Sequence, residues 1–150
     1  LTQAGSETFW DRSTLYALRG VYAVGATDKA TEFMKKYSST RLLGDHVPYA
    51  IEAWPEGSQR HLSAESALYA RIITEGIFGI RPTGFKSFTL TPCLPQEWPH
   101  MSLKKIGAFG ACFDIEVKRL DNGKLEVIVT NDAKTKKFVV KDRQPVKVRL

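Results

Sequence analysis

The sequence predicts an α+β chain in which three N-terminal helices lead into a small antiparallel β-sandwich, as two domains covering residues 1–81 and 82–150. Three observations carry that reading. Apolar residues recur at helical spacing through the first half, and the period changes to two near Arg81-Pro82-Thr83-Gly84. Two alternating runs then flank an Asn-Gly, the strongest short-range hairpin signal in the chain.

Residues 6–24 read as the first helix. Leu15, Leu18, Val21 and Tyr22 share one face, and Gly25 supplies a stop. Thr27 reads as the N-cap of the second helix, with Asp28 favourable in the first turn. Ala30, Phe33, Met34 and Tyr37 are its expected buried stripe, and Gly44 its end. So short a connection makes the two helices an antiparallel hairpin. Residues 45–61 follow neither period. The third helix opens at Leu62-Ser63-Ala64-Glu65, with Ser63 as N-cap. Leu68, Tyr69, Ile72, Ile73 and Ile77 give it an apolar side too wide for one neighbour, before Gly76 and Gly79 break it. That width points to further helices upstream in a longer parent, and the opening Leu1, in place of Met, agrees with this expectation.

The tail has strand character. Phe113, Ile115 and Val117 alternate with Asp114, Glu116 and Lys118; beyond Asp121-Asn122-Gly123, Leu125, Val127 and Val129 alternate with Glu126, Ile128 and Thr130. Residues 85–90, 137–140 and 146–150 add further strands, enough for a small sandwich.

Composition narrows the function classes. The chain is 43% hydrophobic and 25% charged, ordinary for a globular protein. No apolar run approaches the roughly 18 residues that span a bilayer, so no membrane partner is expected, and the first residues do not form a signal peptide. The net charge of +6 is spread over scattered Lys and Arg without interleaved aromatics, which disfavours nucleic acid. Cys93 and Cys112 form no CxxC and have no His at ligand spacing, so neither a metal site nor a cofactor is expected. Two buried thiols are the default, with a disulfide as the alternative in an exported parent.

Chemistry concentrates in residues 45–61, which hold Asp45, His46, Tyr49, Glu52, Trp54, Glu56, Arg60 and His61. Carboxylates beside Trp and Tyr suit sugars, because an aromatic face packs on a pyranose while polar groups bind its hydroxyls. His46 and His61 are candidates for binding sugar hydroxyls, against the alternative of a backbone hydrogen bond. Glu56, between Pro55 and Gly57, reads as a solvated turn residue. Trp98, Phe109 and Phe113 read as packing residues.

Glu52 stands eleven positions before Ser63, where Leu62-Ser63-Ala64 opens the final helix, with Gly57 between. This resembles the glucoamylases. The wider order of helix hairpin, Glu-bearing loop, last helix and β-rich tail is similar to that of six-hairpin glycosidases, including rhamnosidase-like families. The tail's Leu90-Thr91-Pro92-Cys93-Leu94-Pro95-Gln96-Glu97-Trp98-Pro99 and Ile106-Gly107-Ala108-Phe109-Gly110 are similar to phrases in the same group. The resemblance implies that residues 1–81 are the last helices of an (α/α)6 barrel, and that the chain belongs to an inverting glycoside hydrolase. It further implies that Glu52 is the general base, and that Trp54 and Trp10 stack on sugar. The carbohydrate substrate and the upstream barrel helices are the implied partners, and a periplasmic or secreted location the implied setting. Ala53 after Glu52, and Ser66-Ala67-Leu68-Tyr69 where glucoamylases carry a Trp, depart from that family. The partner acid belongs to an earlier barrel loop; Glu7 and Asp11 read instead as a first-turn charge and a hydrogen-bonding side chain, so the piece alone is expected to be silent. The competing function is a carbohydrate-binding or barrel-capping module without catalysis.

Overall fold

A computed structural model describes residues 2–4, 8–42, 50, 53–54, 63–132 and 134–150. The fold is α+β: the helices and a small three-stranded sheet come first, and two further antiparallel sheets follow them. The chain forms two compact units, Leu1–Gly76 and Ile77–Leu150.

In the first unit, β1 (Thr2–Ala4), β2 (Thr8–Trp10) and β3 (Ala53–Trp54) form an antiparallel sheet with β2 in the middle. Helix α1 spans Asp11–Ala23, so the helix predicted from residue 6 begins at Asp11. Thr8-Phe9-Trp10 is β-branched and aromatic, favours extended backbone, and is held there by strands on both sides. The other end follows the prediction. Gly25 has φ +88°, its amide donates to the Tyr22 carbonyl, and the Ala26 amide donates to Val21, which is the Schellman pattern.

Helix α2 spans Thr27–Arg41. Ala26, not Thr27, precedes its first turn, and no side chain caps it. Thr27 is buried inside the helix, where its carbonyl accepts from the Thr31 hydroxyl at 2.8 Å. The buried stripe is Thr27, Ala30, Thr31, Met34 and Tyr37. Phe33 is half exposed at 50%, contrary to expectation. Thr31 takes the inward position because its hydroxyl meets that of Tyr22 at 2.9 Å, so a polar side chain is satisfied where an apolar one was expected.

Helix α3 (Ser63–Arg71) continues as a π-helical segment, Ile72–Ile77. Leu68 and Ile72 are buried, while Tyr69 and Ile73 are partly covered. Gly76 is needed for close approach: a Cβ there would lie 3.1 Å from the Tyr22 ring of α1.

The second unit has two sheets. β4 (Arg81–Gly84), β5 (Ser87–Leu90) and β10 (Val146–Arg149) form one in the order β10-β5-β4. β6 (His100–Ala108), β7 (Ala111–Arg119), β8 (Leu125–Asn131) and β9 (Lys134–Val140) form an antiparallel meander. The alternating residues turn inward as predicted: Phe113, Ile115 and Val117 of β7 and Leu125, Val127 and Val129 of β8 are all buried. Phe88 of β5, fully buried, stacks on Phe113 with centroids 5.2 Å apart and on Phe109 at 5.1 Å, joining the two sheets face to face. Asp121-Asn122-Gly123 forms the β7–β8 turn, with Gly123 at φ +76°. The β6–β7 hairpin closes through Phe109 and Gly110, both at positive φ as a type I′ turn requires.

The Pro-rich phrase after Leu90 is a strap without regular structure, held by its backbone. The Cys93 amide donates to Ile77, Arg119 donates to the carbonyls of Leu94 and Pro95, and the Arg143 amide donates to Pro92. Cys93 is buried and Cys112 exposed, and both are free thiols, so the expected buried pair does not form. Among the described residues no helix is long and apolar enough to cross a membrane.

Candidate functional site

Of the candidate catalytic and sugar-binding residues, Trp10 is the one described in full. It ends β2, precedes α1 with extended backbone (φ −84°, ψ 106°), and is 38% exposed. Across the sheet it pairs with Ala53, and Phe9 pairs with Trp54. The strand carrying Trp10 and the backbone of Trp54 are therefore hydrogen-bonded neighbours, although 43 residues separate Trp10 from Ala53. Glu52, His46 and His61 lie outside the described residues, as do Glu56 and Arg60.

Two buried carboxylates lie beside this corner; Asp11 is a first-turn acid as the sequence predicts, but the burial of both was not foreseen. Asp11, the residue after Trp10, is fully buried. Its Oδ2 is 3.4 Å from Nε of Arg41, at the end of α2. Burial raises its pKa, and the opposing pull of Arg41 and of the Tyr37 hydroxyl does not restore it. Tyr37 is pushed upward in turn, by burial first and then by the Asp11 charge. Neither Asp11 oxygen nor the Tyr37 hydroxyl has a well-formed hydrogen bond among the described residues, so the cluster is held by charge more than by directed bonds. Glu65, in the first turn of α3, is also fully buried, and accepts a 2.6 Å bond from Arg12.

Neighbouring residues thus reach different helices: Asp11 ties the start of α1 to the end of α2, and Arg12 ties it to the start of α3. The signal available in the sequence was weak. Each acid stands in a helix first turn, where a carboxylate is favourable whether it is buried or solvated. Chemically the two acids are committed to ion pairs, and their effect is to fix the strand-to-helix corner that presents Trp10.

Outward from this cluster, α1 and α2 enclose an open apolar groove of about 460 Å³, lined by Ala17, Val21, Phe33, Tyr37 and Arg41 among others. Tyr37 stacks on Tyr69, whose hydroxyl meets Ser38 Oγ at 2.7 Å. Farther along, Glu75 of the π-helical segment pairs with both Arg71 and Arg19. In the β unit, Phe113 is buried, and Trp98 and Phe109 are partly covered. No protein-family model, no curated protein and no solved structure matches this chain.

Proposed function

We propose that this chain carries the base-bearing part of a glycoside hydrolase acting on oligo- or polysaccharides, with Glu52 as the general base and Trp10 and Trp54 as sugar-stacking residues. The observation that carries the reading is the pairing of Trp10 with Ala53, the residue that follows Glu52 in sequence. A partly exposed Trp ring on a strand hydrogen-bonded to the loop of the candidate base is the combination a sugar subsite needs. A flat apolar face lies next to backbone that leads directly into a carboxylate. Asp11 and Glu65 are each engaged by an arginine, which leaves the base role to the loop. The opposing general acid is assigned to helices upstream of this chain in its parent.

The decisive experiment is Glu52→Gln in the longest parent polypeptide, assayed on an aryl-glycoside panel. The amide cannot take a proton from water, so kcat is expected to fall by about 10²–10⁴-fold with folding preserved. Normal turnover in a folded variant rejects the assignment.

A further inference from the structure

Positive charge is unequally shared between the two units. Residues 77–150 carry 14 Lys and Arg against 7 Asp and Glu, whereas residues 1–76 carry 8 against 9. The β unit therefore holds all of the excess, and one end of it gathers cations around an exposed aromatic ring.

The β4–β5 hairpin turns through Phe85 and Lys86. Phe85 is 82% exposed, and the Lys86 ammonium lies 5.9 Å from its ring centroid. One edge of that ring rests on the tip of the β6–β7 hairpin, where a Cβ on Gly110 would come within 3.1 Å. The end of β10 lies at the same place: Arg149 pairs with Ser87, and the Leu150 amide donates to the Lys86 carbonyl at 2.8 Å. Lys136 of β9 reaches across to donate to the Arg149 carbonyl. Here a concavity of about 190 Å³ is lined by Val129, Asn131, Lys134, Lys136, Arg149 and Leu150. Three of the six are cations and none has an acidic side chain; Asp132, in the β8–β9 turn, is the nearest acidic side chain in sequence and is exposed. Asn131 Oδ1 is buried and has no hydrogen-bond partner among the described residues.

Lysines on an edge strand commonly serve to prevent edge-to-edge aggregation, and that accounts for the Lys134–Lys137 run by itself. It does not account for a ring exposed beside them, or for Arg149 of β10 joining Lys134 and Lys136 in the lining of the concavity.

We propose that this end of the β unit binds an acidic polysaccharide, a chain of uronic acid residues. The Phe85 ring packs on the C–H face of one pyranose, and Lys134, Lys136 and Arg149 take a carboxylate through charge-assisted hydrogen bonds. A nucleic acid strand calls for a different surface, a cationic track along regularly spaced phosphates with several stacking rings. This end offers one ring and a compact cluster. The inference is independent of the hydrolase reading: a chain with no catalytic role would still bind, and failure here leaves Glu52 untouched.

The test is titration of the whole chain with polygalacturonate, with neutral pullulan and with a single-stranded DNA oligomer, at about 50 and 500 mM salt, where screening shortens the reach of charge. Polygalacturonate is expected to bind and pullulan not to, with at least tenfold weakening at high salt. Replacing Lys134, Lys136 and Arg149 together by Ala should weaken binding at least tenfold, and Phe85→Ala at least threefold. The charge-matched set Lys118→Ala, Lys124→Ala and Lys141→Ala, at the opposite end of the meander, should change it less than twofold. Amide chemical-shift mapping on the unmodified chain, which needs no variant to fold, should centre on residues 85–86, 131–136 and 149–150. The proposal is overturned by absence of polygalacturonate binding, by equal losses in the two triple variants, or by shifts centred elsewhere. DNA binding at least as tight as that of the glycan, and indifferent to Phe85→Ala, also overturns it.

Discussion

Arg41→Met tests whether the corner presenting Trp10 is held by a buried charge pair. At 3.4 Å and an effective dielectric constant near 20, the attraction between the Arg41 and Asp11 charges is about 5 kcal/mol before desolvation is counted. Burial outweighs that attraction, because the Asp11 pKa is raised despite Arg41. Removing the cation while keeping its apolar bulk leaves a fully buried carboxylate without its strongest compensation, at a cost of about 3 kcal/mol at pH 7. The pH dependence follows from the direction of the shift. A folded pKa above the unfolded value of 3.8 means that the folded state holds a proton the unfolded chain has released. Stability from this group is therefore greatest at acid pH, falls as pH rises through the window, and levels off above the folded pKa. The steepest slope one proton allows is about 1.4 kcal/mol per pH unit. Arg41→Met raises the folded pKa further and widens the window upward, so its cost should shrink by at least about 1 kcal/mol between pH 7 and pH 4.5. Urea denaturation at both pH values reads this directly, with non-titrating Asp11→Asn as the reference that removes other carboxylates from the comparison. A cost below about 1 kcal/mol at pH 7, or one unchanged between the two pH values, refutes the buried-charge account of the corner.

Gly79→Ala and Gly123→Ala separate backbone strain from steric clash. Both sit at positive φ, but a Cβ on Gly79 would lie 2.2 Å from the Thr91 carbonyl oxygen while Gly123 faces open space. Chemical denaturation should give at least about 3 kcal/mol for the first and about 1 kcal/mol for the second. Phe88→Ala, which empties the stacked position between the two sheets, should cost about 3–5 kcal/mol in the same assay. Trp10→Ala in an active parent should raise KM about fivefold with kcat within about twofold, the signature of lost ground-state binding; steady-state kinetics on a short oligosaccharide checks this.

The two units were not equally legible in the sequence. Strand alternation at Phe113, Ile115 and Val117 identifies the inward face with no knowledge of what lies opposite, because a period of two leaves only two faces. The β7–β8 turn was legible because Asn-Gly has few other uses between alternating runs. Helices offer a continuum of faces, and which one turns inward depends on the neighbours. Phe33 was misjudged for that reason: hydrophobicity ranks it above Thr31, yet Thr31 lies on the line shared with Ala30, Met34 and Tyr37 and finds a hydroxyl in Tyr22. The start of α1 failed for a related reason. Residues 8–10 are extended because β1 and β3 pair with them, and β3 comes from a segment more than 40 residues away that has no period of its own.

The same logic explains why the candidate site was harder to read than the fold. A carboxylate in a helix first turn is stabilised by the backbone dipole whether it faces water or an arginine. Asp11 and Glu65 therefore carry no sequence mark separating a surface charge from a buried anchor. Their partners, Arg41 and Arg12, each come from a different helix. What the sequence could identify was residue types that suit the proposed sugar chemistry, in Trp10, Trp54 and Glu52. What it could not identify was the pair of ion-paired acids that hold the first of these in place. A search for a second functional carboxylate that begins from composition would select Asp11 for its position beside Trp10. The geometry argues otherwise, because an acid that donates or accepts a proton in turnover must exchange it with a ligand or water, and Asp11 has no exposed surface through which to do so.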